Sequence, residues 1–239
     1  MQEGLYVALS SQIALERRLS TIADNVANTN TVGFRATGIR FEEVLSSLRS
    51  DAPTFVSSGQ SYLHTQSGAL KSTGNKLDFA IQGDVWFAIE TDAGPTLTRD
   101  GRFKMLETGE LVTLSGNPVL DPGGSAINLN PAGGAPLAGR DGFLSQNGNQ
   151  VAAIGLFEFQ PGPDARRHAD SGILANGPLQ PVVDRPDVGV LQGFVEQSNV
   201  NPLKELTKLI MVQRTFDNVT SLVRDSENAY EETIKAFGS

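Results

Sequence analysis

Apolar residues recur at three-and-four spacing at both ends of this chain, and in shorter, turn-punctuated runs between them. In the N-terminal segment one row runs Leu5, Ala8, Gln12, Leu15, Leu19, Ile22, Val26 and Thr29. In the C-terminal segment Leu209, Phe216, Val223, Tyr230 and Phe237 recur every seventh position, and Val212, Val219, Ser226 and Thr233 widen the stripe. Such a repeat holds one stripe toward a partner helix, so residues 5–29 and 206–237 are expected to pair as a coiled-coil-like unit. At about 1.5 Å per residue, a C-terminal helix of roughly 54 Å overhangs an N-terminal one of roughly 40 Å. Gln12, Gln213 and Ser226 interrupt the stripes. Those breaks weaken an isolated pair and favour completion by neighbouring subunits.

The helix ends carry their own chemistry. Asn201 can cap the second helix, and Pro202 then falls in the first turn, where its missing N–H costs nothing. Asn28, Thr29 and Asn30 weaken propagation of the first helix, and Gly33 can turn the chain out. Asn25 and Asn28 lie within the helical repeat, where asparagine is unfavourable. They are expected to hydrogen-bond across subunit boundaries and set register, as buried polar residues do in coiled coils.

Between the helices the period changes. Phe79–Ile81, Trp86–Ile89, Thr96–Arg99, Phe103–Leu106, Leu111–Leu114 and Ile154–Phe159 read as strands. Asp100-Gly101, Asp141-Gly142 and Asn147-Gly148 are hairpin signals, because both residue types tolerate positive φ. Phe41, Val44, Leu45 and Leu48 have helical spacing for a short helix, and the prolines at 161, 163, 178, 181 and 186 forbid long helices on the return path. The two connectors, 33–76 and 161–200, are expected to run side by side and flank a β-rich body at 77–160. The fold class is therefore α+β: terminal helices (1–32 and 201–239) paired in a rod-like domain, a central all-β body, and extended connectors.

Composition narrows the function classes. The chain has 239 residues, no cysteine and a formal charge of −8. Absent cysteine removes disulfides, thiolate nucleophiles and cysteine-ligated zinc, and the negative balance argues against a nucleic-acid partner. No run is long and apolar enough for membrane insertion, and the start lacks the basic n-region of a cleaved secretory signal.

A search for catalytic chemistry yields little. His64 and His168 are the two histidines, far apart and without ligand spacing. Asp100 and Asp141 read as turn residues. Trp86 reads as core, and with Asp84 and Asp92 it forms the one acid–aromatic candidate for a carbohydrate-binding domain with helical tails. A fixed-stoichiometry coiled-coil adaptor is a further alternative. No catalytic, metal or cofactor site is expected.

Several blocks, in order along the whole chain, carry a resemblance. Residues 22–36 (Ile-Ala-Asp-Asn-Val-Ala-Asn-Thr-Asn-Thr-Val-Gly-Phe-Arg-Ala) resemble the N-terminal signature of the bacterial flagellar rod and hook family. The similarity continues through Ser67–Asp78, Ala80–Asp84, Thr98–Phe103, Gly109–Thr113, Glu196–Pro202 and Met211–Phe216. Val85-Trp86 departs from the Gly-Phe more usual there. Length and a modest central body look most like the family's proximal-rod member, with the distal-rod member as the rival.

The resemblance implies a structural subunit of the periplasmic rod, exported without a cleaved signal through the flagellar type III apparatus. Its partners would be copies of itself and the other rod proteins. The expected assembly interface comprises Leu5, Leu15, Leu19, Ile22, Asn25, Val26 and Asn28 on the first helix. On the second it comprises Leu209, Val212, Phe216, Val219, Val223, Tyr230 and Phe237.

Overall fold

Capping chemistry sets where the second helix begins. In the computed structural model the Asn201 Oδ1 accepts the Lys204 backbone N–H at 3.1 Å, and the helix starts at Pro202. The structure describes residues 2–41, 43–45, 54–56, 59–162, 165–175, 177–183 and 185–237. The chain divides into two compact units: Met1–Ala27, Thr37–Tyr62 and Asn201–Ser239 form the first, and Asn28–Ala36 with Leu63–Val200 the second.

The first unit is built on α1 (Gln2–Ala27) and α2 (Pro202–Phe237), which pack along each other. With α1 at 26 residues and α2 at 36, the difference of ten makes α2 the longer by about 15 Å. Short strands accompany them: β1 (Thr37–Arg40), β2 (Glu43–Leu45), β3 (Thr54–Val56) and β4 (Gln60–Leu63), with β1 pairing β4 and β2 pairing β3 antiparallel. Both β1 and β3 contact α1.

Here one expectation is corrected. Val44 and Leu45 are not helical: they pair with Phe55 and Thr54 across β2 and β3. The Thr-Phe-Val run offers a β-branched and aromatic partner strand, and pairing overrides the local spacing. Leu48 lies outside the described residues.

The second unit is β-rich. Its strands are β5 (Leu70–Ser72), β6 (Phe79–Gln82), β7 (Val85–Ile89), β8 (Thr96–Thr98), β9 (Phe103–Met105) and β10 (Leu111–Thr113). Then follow β11 (Leu137–Ala138), β12 (Phe143–Gln146), β13 (Asn149–Ala153), β14 (Leu156–Glu158) and β15 (Arg167–His168). The series ends with β16 (Gly172–Leu174), β17 (Gln180–Pro181), β18 (Gly189–Gln192) and β19 (Phe194–Glu196), and a 3-10 turn spans Pro131–Gly133. The largest sheet runs β15-β16-β8-β7-β14-β17. Each of the six apolar runs read from the sequence overlaps a strand. The connectors also meet, because β5 pairs antiparallel with β19.

The core of this unit is closed. Phe79, Phe87, Phe103, Ile89, Leu111 and Leu144 are all buried, with Phe87 edge-on to Phe103 at 5.4 Å. At about 1.5–3 kcal/mol for each large apolar side chain, such burial dominates the unit's stability.

Two Gly signals came out differently. Asn147 and Gly148 both have positive φ and turn β12 into β13. Asp100-Gly101, by contrast, makes no hairpin, since β8 pairs with β7 and β16 while β9 pairs with β10. Gly101 is required for another reason: a Cβ there would stand 1.8 Å from the Phe79 carbonyl oxygen.

Candidate assembly interface

The helical pair is antiparallel, and its root is fixed by two polar residues set in the apolar seam. Counting back from Leu209 by four reaches Glu205, a charged residue on the stripe, and it is buried. In α1 the corresponding polar intruder is Asn25, also buried. The Asn25 amide accepts from the Thr37 N–H at 2.9 Å and donates to the Thr37 carbonyl at 2.9 Å. It also donates to Glu205 Oε2 at 3.4 Å. The other Glu205 oxygen takes the Lys208 ammonium at 2.5 Å, and its place in the first turn of α2 suits the positive end of the helix dipole. Both hydrogen-bonding directions of Asn25 are thus used within its own unit, which fixes the polarity of the pair. Glu205 was not singled out from sequence; a carboxylate on a heptad stripe was its signal.

Above the root the seam is only partly covered. Ile22 and Val212 are buried, whereas Leu15, Leu19, Val26, Leu209, Phe216, Val219 and Val223 are half-buried. Asn28 sits just past the end of α1, where its Oδ1 accepts from Thr31 Oγ1 at 3.0 Å. The side chains of Leu5, Tyr230 and Phe237 lie outside the described residues. Large apolar side chains elsewhere on the helices are exposed, among them Leu9, Ile13, Met211 and Leu222.

The second unit holds a buried ionic cluster in which one carboxylate serves two guanidinium groups. Glu196 Oε1 meets Arg35 Nη2 at 2.7 Å and accepts the Gly68 N–H at 2.9 Å, while Oε2 lies 3.4 Å from Arg99 Nε. Arg99 also donates to the Gly83 carbonyl at 2.6 Å, and Arg35 to that of Gln66. Trp86 stacks beneath both cations, its ring centroid 5.8 Å from Arg35 Cζ and 5.6 Å from Arg99 Cζ. Burial pulls Arg99 down to about 10, against the opposing pull of Glu196, and lowers Arg35 in the same way.

Asn199 completes the fastening. It accepts from Ala36 N–H at 2.6 Å and donates to the carbonyls of His64 and Gln66 at 3.2 and 2.8 Å. Residues 33–36, 64–68, 99 and 196–199 are therefore tied together. Arg35, Arg99, Glu196 and Asn199 lie in the sequence blocks quoted above, but their charge or polarity hid them as candidates for a core.

This arrangement positions backbone and performs no proton or group transfer. Trp86 is buried and offers no sugar platform; Asp84 points outward to Arg185 at 2.9 Å. Among the described residues no group of three or more His, Cys, Asp or Glu side chains converges as a metal site, and no helix is long and apolar enough to cross a membrane.

Comparison with known proteins assigns the chain. Residues 5–35 match the family described as flagella basal body rod protein, residues 80–151 the flagellar hook protein FlgE/F/G D1 domain, and residues 191–235 the flagellar basal body rod FlgEFG protein C-terminal family. The flagellar basal-body rod protein FlgF of Mesorhizobium japonicum is 56% identical over 239 residues, covering 100% of this chain and 99% of that protein. The chain belongs to the flagellar basal-body rod protein family.

Within the family, FlgF of Rhizobium meliloti is 54% identical over 238 residues, at 100% and 99% coverage. The flagellar basal-body rod protein FlgG of Bacillus subtilis is 30% identical with 98% of each chain covered. Identity thus favours the FlgF side of the family. A member of this family is a structural component of the flagellar rod and not an enzyme.

Proposed function

We propose that this chain stacks helically through its terminal helices to build the proximal part of the periplasm-crossing drive shaft, which transmits torque. The fourteen residues named from the sequence, from Leu5 to Phe237, line the axial domain, with Asn25 bonded inside the pair at its root and the others offered to neighbouring copies. The helices (1–32 and 201–239) serve as the axial domain and the β-rich part (77–160, with the connectors 33–76 and 161–200) as the outer body. Contacts are heterologous: one surface of a copy meets a different surface of the next, so the assembly stays open along its axis. Other rod proteins continue the stack, and the chain reaches the periplasm unfolded, or nearly so, through the flagellar type III apparatus.

The observation that supports this reading best is the half-covered seam. A long helical pair that keeps Leu15, Leu19, Phe216 and Val223 partly open is finished only when further helices lie on it. Ordering such helices costs about 1–2 kcal/mol per residue in backbone entropy, so neighbours must supply additional burial.

The test is deletion of the gene with basal bodies imaged by electron cryomicroscopy. Rods truncated near the inner membrane, lacking distal rod and hook, are the expected result. A proximal rod built normally with only its continuation lost would transfer the protein to the distal role. Intact rotating flagella would refute the structural reading.

A further inference from the structure

The ribbon formed by β5 and β19 ends in a strand that is paired on one side only. β19 holds β5 with Val195 opposite Lys71. At the ends of the pairing the Gln197 N–H donates to the Ala69 carbonyl at 2.9 Å, and the Thr73 N–H to that of Gly193 at 2.8 Å. In an antiparallel ladder, residues whose N–H and C=O face the partner strand alternate with residues whose groups point away from it. Ala69, Lys71 and Thr73 face β19, so both backbone groups of Leu70 and Ser72 point outward. Among the described residues no strand pairs with that edge. Leu70, Lys71 and Ser72 are all exposed, Leu70 by 44%.

This stretch also reverses the charge of the chain. Against a formal charge of −8 overall, residues 64–77 carry Lys71, Lys76 and no Asp or Glu. The carboxylates bonded to it, Asp78 to Asn75 and Glu196 to Gly68, are buried. A free edge invites another strand, and a lysine on it guards against unwanted pairing. Here the guard also selects. Two copies joined antiparallel through this edge would bond Leu70 to Ser72 in both directions. One Lys71 would then stand directly opposite the other, with Cβ atoms about 4.5–5.5 Å apart. Like charges so placed repel, whereas a carboxylate in the same position attracts.

We propose that the outer edge of β5 accepts an added strand from another protein: an extended acidic segment that pairs with Leu70 and Ser72 and sets an Asp or Glu opposite Lys71. Backbone bonds give such a contact its affinity, and the cross-strand charge gives its selectivity. The strand is held from behind by β19 and by the buried Glu196, which accepts the Gly68 N–H at 2.9 Å. The edge is therefore preformed, and the arriving segment alone has to be ordered. The contact lies in the β-rich unit and needs nothing from the terminal helices.

The probe is a capped seven-residue peptide of alternating Thr and Val with Glu at its centre. It is added to the full-length monomer while amide hydrogen exchange is followed by NMR. Exchange at the Leu70 and Ser72 N–H groups should be fast in the free chain and slow at least about tenfold with saturating peptide. Two further peptides, one with Lys at the centre and one N-methylated on both residues flanking the Glu, should bind at least about tenfold more weakly. Full-length Lys71→Glu should melt as the wild type does, because the side chain is exposed, and should prefer the Lys peptide. No slowing at either amide up to the solubility limit of the Glu peptide would overturn the proposal. Equal binding of the N-methylated peptide would reduce the contact to a charge patch without a ladder, and would overturn it too. Equal binding of the Lys peptide would do the same by removing the acidic selectivity.

Discussion

The two units of this molecule solve burial in opposite ways. In the β-rich unit Phe79, Phe87, Ile89, Leu111 and Leu144 are sealed, and even three charged side chains, Arg35, Arg99 and Glu196, are enclosed. In the helical unit the buried helix positions among the described residues are Ala14, Ile22, Asn25, Glu205 and Val212, while aliphatic side chains remain open on two sides. A sheet covers its apolar face with strands recruited from its own chain. A long helix has only one partner here, and one partner covers one stripe. The body can thus be complete as a monomer, while the helical pair needs its neighbours.

The largest predicted effect would break the sealed side of this contrast. Glu196→Gln leaves Arg35 and Arg99 buried without their counter-charge, and should cost about 3–5 kcal/mol. Trp86, the one tryptophan, stacks on both arginines and reports this unit alone. Its fluorescence should show a lowered urea midpoint; an unchanged midpoint would mean that the cluster contributes nothing.

Next comes the root of the helical pair. Asn25→Leu removes partners from both Thr37 backbone groups and one from Glu205, at about 1–3 kcal/mol. The loss should appear as reduced helical circular dichroism in the monomer, before any assembly. A variant with full monomer helicity that failed only in rods would instead make Asn25 an intersubunit residue.

Asn201→Ala tests the cap. Loss of the bond to Lys204 N–H should cost about 1 kcal/mol of α2 stability, read as faster amide exchange in residues 203–206. Smallest of all, Leu222→Ser on an open face should shift monomer stability by no more than about 0.5 kcal/mol. A clear destabilisation there would mean that the helical unit is more closed than its exposed aliphatics indicate.

Local chemistry explains what could be read from the sequence. The three-four repeat marked both helices, and Asn201-Pro202 fixed the start of α2 to the residue, because a cap and a missing N–H act within one turn. Asn147-Gly148 turned as expected for the same reason. Asp100-Gly101 misled because its glycine answers a packing demand against Phe79, which no local pattern encodes. Val44 and Leu45 went from helix to strand once Thr54 and Phe55 arrived from across a connector. The ionic cluster was least legible. Arginine and glutamate ordinarily mark a surface, and only the meeting of residues 35, 99 and 196 in space turns them into a core. Likewise the sequence seam pointed to Leu15 and Phe216, whereas the exposure of Leu203, Leu206 and Ile210 emerged only after the seam had found its partner.

Hydrogen exchange, read residue by residue on dilute monomer and on assembled rods, tests this contrast most directly. Strong protection across Phe79–Ile89 is expected in both states. Protection across 2–27 and 202–237 should be weak in the monomer and rise to the level of the body in rods. Equal, strong protection of helices and body in the dilute monomer would contradict this contrast, because the helical pair would then be complete without a neighbour.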